Sequence, residues 1–504
     1  MTMPLRSAPT TERLDEDSSV FHRVAALTER GEPGGAGICF DVVVHAYAMD
    51  TGTERGSQFR RQILKEPARD VRLTVEFTAP SVVRVCLSRG DEAAPRRSFT
   101  LSRPNAIDVT RTAGVAKLHC LRDMGVGRGW QMGNVDTRYV DLTSSVLRLR
   151  VWLEPYRIEI FDTAGQLVAG IDGPEINVFR QNDDPGLSFV TLPDAPGLIT
   201  TSFDLAHDEA VYGYGERFDA FGRQRREVRL DQCDALGTTS SRAYKNIPFF
   251  LSSRGYGVFV DTGGAMRAFV GSRCTGKHTL CVDDDVLEYY LIVDPDPKQI
   301  LKTYTDLTGH AEVPPFWSFG VWMSRLTYKS AQEAEDVVSE MRRRDLGLDV
   351  LHLDPGWMDA KDWRCTLAFD EQAFPEPSAF MKRLRARGVR VCLWQLPYIQ
   401  RESALHDPLR AVGAFAEGSA FAQTVIDYTK PGAVEAMRQR FAALFETGAA
   451  VIKTDFGEEL PRDATLDGGT GRELHNAYPF FYNAAVHEFT RQSTGDALVW
   501  ARSG

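Results

Sequence analysis

The sequence predicts a multidomain chain in which an antiparallel β-sandwich precedes a domain of alternating parallel strands and helices. At 504 residues the chain is too long for one hydrophobic core. From Gly37 to Thr308, apolar and polar residues alternate with a period of two, and turn residues separate the short segments. After Val313, short apolar runs alternate with segments of helical periodicity, which is typical of a (β/α) barrel or a doubly wound sheet.

The predicted sandwich covers residues 21–312 and follows a polar segment, residues 1–20, that we expect to be a disordered tail. Its clearest strands are residues 71–77, 82–87, 147–151 and 157–161. In each of them every second residue is apolar, so one face of the strand can pack against a core.

Residues 313–504 are predicted to form the parallel-stranded domain. Its five predicted strands are residues 317–323, 348–353, 389–394, 449–452 and 497–501. Helices are predicted after a capping box at Ser330 and Glu333, and at residues 378–387, 433–445 and 473–491. A closed barrel requires eight strands and typically about 250 residues. We therefore expect the sequence to be a fragment or to derive from an unfinished gene model.

The composition is that of an ordinary globular protein, with 43% hydrophobic and 25% charged residues. The formal net charge of −10 argues against nucleic acid and against an anionic membrane surface as partners. The eight cysteines form no C-x-x-C pair and show no zinc-binding spacing, so we expect buried free thiols. The sequence shows no signal peptide and no apolar run of about 18 residues, which predicts a soluble, cytoplasmic protein.

Polar and aromatic residues follow the predicted parallel strands, at the strand ends where barrel enzymes carry their active sites. Asp455 follows the buried run 449–452, and Lys453 lies two residues before it on the same side of the strand. From spacing alone, Asp455 is either a catalytic carboxylate or the N-cap of a following helix. Asp354 is either a ligand or a loop cap, and Trp394 is either a core residue or a pocket residue.

With Arg502 after the fifth strand, these groups form a set that suits a sugar. Charged side chains bind hydroxyl groups well, and aromatic rings stack on the apolar face of a pyranose. Metal binding is disfavoured, because His352 and Asp354 have no third ligand in view. Phosphate binding is also disfavoured, because Gly213-Tyr214-Gly215 lacks the helix and the third glycine of a phosphate-binding loop.

The segment Lys453-Thr454-Asp455-Phe456-Gly457-Glu458 resembles the nucleophile motif of glycoside hydrolase family 31, in the branch that contains α-xylosidases. Other segments resemble this family in the same order, namely residues 213–218, 243–249, 254–258, 314–320, 389–394 and 501–503. The resemblance is specific from Val211 onwards and looser over the earlier sandwich. It implies a galactose mutarotase-like sandwich followed by a TIM-type (β/α)8 barrel, of which only about the first five strands are present.

The resemblance implies a retaining, exo-acting α-glycosidase that hydrolyses terminal α-linked xylose and needs no cofactor. An α-glucoside or another α-linked hexose is the alternative substrate. Asp455 would be the nucleophile. The implied substrate-binding residues are Asp354, Trp394, Lys453, Arg502 and Asp234, the last on a loop that reaches from the sandwich over the barrel. Lys453 and Phe456 favour the xylosidase-like branch, because the glucosidase branch more often has tryptophan and methionine at these two positions.

We expect one required group to lie outside this sequence. Retaining hydrolysis uses a second carboxyl about 5–5.5 Å from the nucleophile, and the resemblance implies an aspartate after a sixth strand, beyond residue 504. Glu458 and Asp463 are close to Asp455 in sequence, but neither is expected to replace this aspartate as the general acid.

The segment Asp354-Pro355-Gly356 lacks the cysteine and the bulky aromatic residue that α-xylosidases tend to have there, so the sequence does not determine which sugar is bound. A non-catalytic carbohydrate-binding protein is the alternative from another class, and the sequence is compatible with a homo-oligomer.

Overall fold

The structure is a computed structural model that describes residues 20–31, 36–48, 64–89, 107–123, 130–173, 186–192, 195–235, 240–358 and 365–504. Antiparallel strands come first in the chain, and a parallel sheet follows. The predicted disordered tail, residues 1–20, lies outside the described residues except for Val20, which begins the first strand. The limits of the two domains, 21–312 and 313–504, stay a prediction.

Most of the antiparallel strands contribute to one large hydrophobic core, as the period of two predicts. In chain order they are β1 (Val20–Gly31), β2 (Gly37–Ala48), β3 (Leu64–Ala79), β4 (Val82–Arg89), β5 (Thr110–Asp123), β6 (Trp130–Thr143), β7 (Arg148–Leu153), β8 (Tyr156–Phe161), β9 (Leu167–Ile171), β10 (Ser188–Leu192), β11 (Ala195–Asp204), β12 (Val211–Gly213), β13 (Arg226–Leu230), β14 (Phe249–Ser252), β15 (Tyr256–Val260), β16 (Met266–Val270), β17 (Lys277–Val282) and β18 (Val286–Val293). Strands β1 to β4 pair in succession. Strand β4 also pairs with β18, and the order of paired strands then continues with β15, β14 and β12. On its other side, β1 pairs with β10, and the order of paired strands then continues with β11, β17, β16 and β13.

The alternation of side chains decides which face of each strand is buried. In β8, Tyr156, Ile158 and Ile160 are buried, whereas Arg157 and Glu159 between them are partly exposed. Each large apolar side chain buried in this way contributes about 1.5–3 kcal/mol. Strands β15 and β16 are buried along their whole length, because both of their faces are covered.

A helix that the sequence pattern did not predict follows the last antiparallel strand. This helix, α1 (Pro297–Thr308), begins after Asp296, whose side chain accepts a hydrogen bond of 2.9 Å from an amide of the first turn. Ile300, Tyr304 and Leu307 recur at helical spacing and pack against β14, β15 and β18. This helical pattern was not recognised, because it is short and follows a long region with a period of two.

The parallel sheet confirms the predicted alternation of strands and helices. The remaining strands are β19 (Trp322–Arg325), β20 (Val350–Leu353), β21 (Arg390–Gln395), β22 (Val451–Thr454), β23 (Thr465–Leu466), β24 (Gly469–Thr470) and β25 (Trp500–Ala501). The remaining helices are α2 (Ala331–Arg343), α3 (Pro377–Ala386), α4 (His406–Ala411), α5 (Pro431–Thr447), α6 (Gly471–Leu474) and α7 (Tyr478–Thr494). Strands β19, β20, β21, β22 and β25 pair in parallel in this order, while β23 and β24 form a short hairpin. In the described part of the chain, every helix is too short or too polar to cross a membrane.

The first predicted parallel strand, residues 317–323, is wrong in its first half. Residues 316–319 form a turn of 3₁₀ helix, and β19 begins only at Trp322. The amide and the hydroxyl of Ser318 both donate to the Pro315 carbonyl, at 2.9 and 2.8 Å. These local hydrogen bonds close a turn that competes with an extended strand.

Two helix predictions also need correction. Ser330 accepts from the Glu333 amide, but the Glu333 carboxylate accepts from the Lys329 amide, so the predicted capping box is only half formed. The helix predicted over 473–491 is split into α6 and α7. Pro479 lies in the first turn of α7, where it has no amide hydrogen and so cannot continue the backbone hydrogen bonds of α6 into α7.

The segment that follows β13 is bound to the parallel-stranded part of the chain. Asp231 accepts a hydrogen bond of 2.5 Å from Arg462, and the Gln232 side chain donates to the Gly504 carbonyl at 2.6 Å. Gly504 lies just beyond the end of β25. These contacts therefore place the segment after β13 next to the C-terminal ends of the parallel strands.

Candidate active site

Neighbouring parallel strands carry the candidate residues on one face of the sheet. In the strand register, Lys453 on β22 lies between Trp394 on β21 and Trp500 on β25. Asp455 and Arg502 each follow two residues later, past the C-terminal ends of β22 and β25. Because side chains two residues apart point the same way in a strand, the register brings these groups together.

Asp455 is a nearly buried carboxylate, 8% exposed, that lies among hydrogen-bond donors and cations. The indole Nε1 of Trp394 donates to its Oδ2 at 2.7 Å. Arg502 Nε lies 3.2 Å from Oδ1, and Lys453 Nζ lies 3.8 Å from Oδ2. Two cations and one indole N–H thus stabilise the negative charge of this carboxylate.

The alternative in which Asp455 caps a helix is wrong. The residues that follow it, up to Thr465, are not helical. The next helix, α6, begins at Gly471, and its cap is Thr470, whose side chain accepts from the Glu473 amide. The Asp455 side chain is therefore available for chemistry at the end of the sheet.

Lys453 connects Asp455 with Asp354. Its Nζ lies 3.7 Å from Oδ1 of Asp354 and 5.5 Å from the centroid of the Trp500 ring. Asp354 precedes a turn of 3₁₀ helix, but its side chain makes no capping hydrogen bond there. Its Oδ2 lies 3.6 Å from Nε2 of the buried His352. The structure therefore brings Asp354 to the same group of side chains as Asp455.

Trp394 is a core residue that also contacts the candidate nucleophile. Its side chain is fully buried, as expected for a core residue. Its indole N–H nevertheless binds Asp455, and its carbonyl accepts a hydrogen bond of 2.9 Å from Trp357 Nε1. Direct contact between Trp394 and a sugar stays a prediction.

Arg502 contacts residues from both parts of the chain. Its terminal nitrogen lies 3.9 Å from Oδ2 of Asp234, whose Oδ1 accepts a hydrogen bond of 3.0 Å from the Tyr244 hydroxyl. The guanidinium carbon lies 4.0 Å from the centroid of the Phe456 ring and 4.9 Å from that of the Tyr244 ring. The segment after β13 thus brings Asp234 to the candidate site.

Glu458 and Asp463 lie in different surroundings, although both follow Asp455 closely in sequence. Glu458 is fully buried, and its carboxylate accepts a hydrogen bond from the guanidinium of Arg502. Burial raises the pKa of Glu458 to about 7, although the neighbouring Arg502 lowers it. Asp463 is exposed on a turn, where Ser419 donates to it at 3.4 Å.

We expect Glu458 to make the stability of the fold depend on pH. Its pKa rises from 4.5 to about 7 on folding. Its stabilising contribution is therefore fully present below about pH 4.5 and is lost as the pH rises through about 7. This loss amounts to about 3 kcal/mol. The measurement is urea unfolding of the wild type and of Glu458→Gln across this range, with Asp463→Asn as the exposed control. A wild type and a Glu458→Gln variant with the same pH dependence would contradict the expectation.

Three hydroxyls that were not predicted as part of the site bind the backbone of Asp455 and of the residues after it; they belong to Tyr398, Tyr482 and Ser503. The position of Tyr398 and Ser503 just after parallel strands is a signal that could have identified them. Tyr482 lies on α7 and no sequence pattern marks it. Within the described ranges, no three His, Cys, Asp or Glu side chains are arranged as metal ligands.

Two models of one family match consecutive parts of the chain. The N-terminal galactose mutarotase-like domain of glycosyl hydrolase 31 matches residues 72–267. The TIM-barrel domain of glycosyl hydrolases family 31 matches residues 311–504.

Curated relatives and solved structures agree with these matches. The α-xylosidase XylQ of Lactiplantibacillus pentosus is 36% identical over 316 residues, which is 59% of this chain and 41% of that protein. An α-xylosidase of Emericella nidulans is 35% identical over 323 residues, 61% of this chain and 41% of that protein. Alpha-glucosidase 2 of Bacillus thermoamyloliquefaciens is 24% identical over 382 residues, 69% of this chain and 46% of that protein. The chain thus spans about two fifths of the length of the two α-xylosidases that it matches.

The solved structures confirm the predicted order of the two folds. A family 31 dextranase of Flavobacterium johnsoniae, complexed with glucose, has a TM-score of 0.72 and 20% identity, covering 96% of this chain and 55% of that one. A family 31 α-xylosidase from a soil metagenome, complexed with xylose, has a TM-score of 0.70 and 17% identity, covering 85% of this chain and 62% of that one. With both of its parts matched by models of one family, the chain belongs to glycosyl hydrolase family 31.

Proposed function

We propose that this protein is a retaining, exo-acting α-glycosidase that hydrolyses terminal α-linked xylose. The observation that carries the proposal is the environment of Asp455. This nearly buried carboxylate lies past the end of a parallel strand, is bound by Trp394 and has the cations of Arg502 and Lys453 within 3.2 and 3.8 Å. An oriented carboxylate of this kind is what a glycosidase needs as a nucleophile.

The proposed reaction consists of two displacements at the anomeric carbon. First, a carboxylate oxygen of Asp455 attacks this carbon and forms an ester, while the bond to the leaving oxygen breaks. The leaving oxygen takes a proton from a general acid, which we propose is an aspartate after a sixth strand, beyond residue 504. Water then attacks the same carbon, gives a proton to that aspartate and releases Asp455. Two inversions give net retention.

The remaining charged groups are proposed to bind the sugar hydroxyls. Asp354 lies 3.7 Å from Lys453, so one sugar hydroxyl placed near both groups could donate to the carboxylate and accept from the ammonium. Arg502 lies 3.9 Å from Asp234 and offers a second such pair. Hydrogen bonds to charged groups are about twice as strong as those between neutral groups, which suits recognition of a small polar ring.

Xylose is proposed as the sugar because the two relatives with 35–36% identity are α-xylosidases. The residue two after Asp354 is Gly356, and a Cβ placed there would lie 2.4 Å from the Thr327 side chain. A bulky aromatic residue at this position would thus require Thr327 to move. Since the site lacks this bulk, an α-glucoside is the second candidate, and an α-glucosidase is among the more distant relatives.

Glycosyl fluorides test the proposal, because fluoride leaves with little need for the general acid. We expect the chain to release fluoride from α-xylosyl fluoride faster than from α-glucosyl fluoride. Intact mass measurement of the quenched reaction should show one added sugar on the wild type and none on Asp455→Asn. Any sugar that the ester releases should appear first as the α-anomer in proton NMR, as retention requires.

The other outcomes separate the alternatives. If the glucosyl fluoride reacted faster, the proposed sugar would be glucose instead of xylose. The assignment of Asp455 as the nucleophile would not change. Binding of free xylose by a folded chain, detected by calorimetry, without fluoride release from either substrate would overturn the enzyme proposal in favour of a carbohydrate-binding protein.

A further inference from the structure

The backbone just after Asp455 adopts a conformation that side chains rarely allow. Phe456 has φ of 59° and Gly457 has φ of 103°. For a residue other than glycine, the left-handed region crowds Cβ against its own backbone, so other contacts must maintain it. The segment from Asp455 to Glu459, here called the nucleophile loop, is therefore held in place by its surroundings.

Hydroxyl groups from three different parts of the chain bind this loop. The amides of Gly457 and Glu459 both donate to the Tyr398 hydroxyl, at 3.2 and 2.9 Å. The Ser503 hydroxyl donates to the Phe456 carbonyl at 2.5 Å. The Tyr482 hydroxyl on α7 lies 3.3 Å from the Asp455 carbonyl.

These hydroxyls replace the partners that the backbone loses where the loop leaves the sheet. The Asp455 amide still donates to the Gln395 carbonyl of β21 at 3.0 Å, but the residues after it have left the ladder. Gly457 is buried, and a buried amide without an acceptor is strongly unfavourable. A Cβ at Gly457 would lie 2.9 Å from the Ser503 hydroxyl and 3.2 Å from the Tyr482 ring, so these side chains also fill the space around the loop.

The conformation of Phe456 links the candidate nucleophile to its cation. Since Phe456 turns into the left-handed region, its ring lies 4.0 Å from the guanidinium carbon of Arg502. The Arg502 Nε then lies 3.2 Å from the Asp455 carboxylate. If the loop relaxed, Asp455 and the Phe456 ring would move together relative to Arg502.

We propose that Tyr398 and Ser503, supported by Tyr482, are positioning residues for the nucleophile. They keep Phe456 in the left-handed conformation, and this conformation sets the geometry of Asp455 and Arg502. The inference rests on the proposed function and deepens it, because it assigns a role in the same reaction to residues that do not touch the substrate.

Tyr398→Phe tests the inference, because it removes the acceptor of two loop amides and keeps the ring. We expect kcat for hydrolysis of α-xylosyl fluoride to fall by about 10- to 100-fold, since a small misplacement of reacting groups has effects of this order. KM should change less than about twofold, because the sugar-binding side chains stay in place. Hydrogen exchange at the Gly457 and Glu459 amides, measured without substrate, should become faster.

The matched control is Tyr428→Phe. Tyr428 is also buried, and its hydroxyl has no hydrogen-bond partner among the described residues. We expect this variant to keep the kcat and the loop exchange rates of the wild type. If Tyr428→Phe lost as much activity as Tyr398→Phe, the effect would come from general packing, and the inference would be overturned.

Exchange rates distinguish a failure of this inference from a failure of the proposed function. An inactive wild type would overturn the proposed function, and the exchange rates would then decide alone whether the hydroxyls fix the loop. Unchanged exchange in Tyr398→Phe, or faster exchange with unchanged kcat, would overturn the positioning role. If Tyr398→Phe does not fold, Ser503→Ala serves as the second variant, with exchange of the Gly457 amide and kcat as its readouts.

Discussion

Replacing Asp455 with alanine is expected to slow the hydrolysis of an activated α-xyloside by about 10⁴-fold or more. The proposed route requires a covalent ester on this side chain, and loss of a nucleophile has effects of at least this size. The substitution also removes the carboxylate to which the Trp394 indole N–H donates and beside which the Arg502 guanidinium lies. The measurement is kcat/KM for α-xylosyl fluoride with both proteins.

Azide distinguishes loss of a nucleophile from damage to the site. In Asp455→Ala, azide can occupy the space of the missing carboxylate and attack the anomeric carbon, so it should restore turnover and give the β-xylosyl azide. The wild type, by double displacement, should still give the α-anomer of the sugar. Asp463→Ala is the control, since it removes an exposed carboxylate of the same segment. If Asp455→Ala kept more than about a hundredth of the wild-type rate without azide, the nucleophile assignment would be refuted.

Replacing Gly215 with alanine is expected to lower the free energy of unfolding by about 3 kcal/mol or more. Gly215 has φ of 81°, a conformation that costs other residues about 1–2 kcal/mol. A Cβ at this position would also lie 2.1 Å from the Lys245 carbonyl oxygen and 2.9 Å from the Ile247 amide nitrogen. Both are backbone atoms, so relief requires the chain itself to shift, at a cost of about 1–3 kcal/mol. Urea unfolding measures the loss.

Gly276→Ala is the matched control for this prediction. A Cβ at Gly276 would have no heavy atom within 4 Å, and its backbone is not left-handed. We expect its stability to stay within about 0.5 kcal/mol of the wild type. Equal stability of the two variants would show that the close approach at Gly215 does not exist in solution. The contact also explains why the Gly-x-Gly segment has glycines without being a phosphate-binding loop.

The periodic patterns of the sequence predicted the fold because they record which faces are buried. Alternation in β8 and the apolar run of β22 both follow from the surfaces that cover them. Boundaries set by local hydrogen bonds were predicted less well. The turn at 316–319 depends on the Ser318 contacts with one carbonyl, and the break before α7 depends on Pro479. Such features act over a few residues and leave no period to detect.

The site was predictable where a strand positions it and unpredictable where distant segments meet. Asp455 and Lys453 could be identified because a spacing of two fixes a common direction in a strand. Asp234 lies far from Asp455 in the sequence, and only the family resemblance suggested that it belongs to the site. The hydroxyl of Tyr482 reaches the nucleophile loop from a helix, and no pattern in the neighbouring sequence indicates this contact.

Arg502 is contacted by Asp234 from the antiparallel part of the chain and by Asp455 and Glu458 from the parallel part. A hybrid protein that joined one part to the other part of a distant relative would preserve both hydrophobic cores. It would, however, place a foreign loop next to Arg502, so we expect its fold to survive and the proposed sugar recognition to be lost. Recombination between relatives is therefore expected to succeed only when the segment after β13 is exchanged together with the barrel. If Asp234 and Arg502 bind the sugar as proposed, changes in substrate preference should accumulate in both parts of the chain.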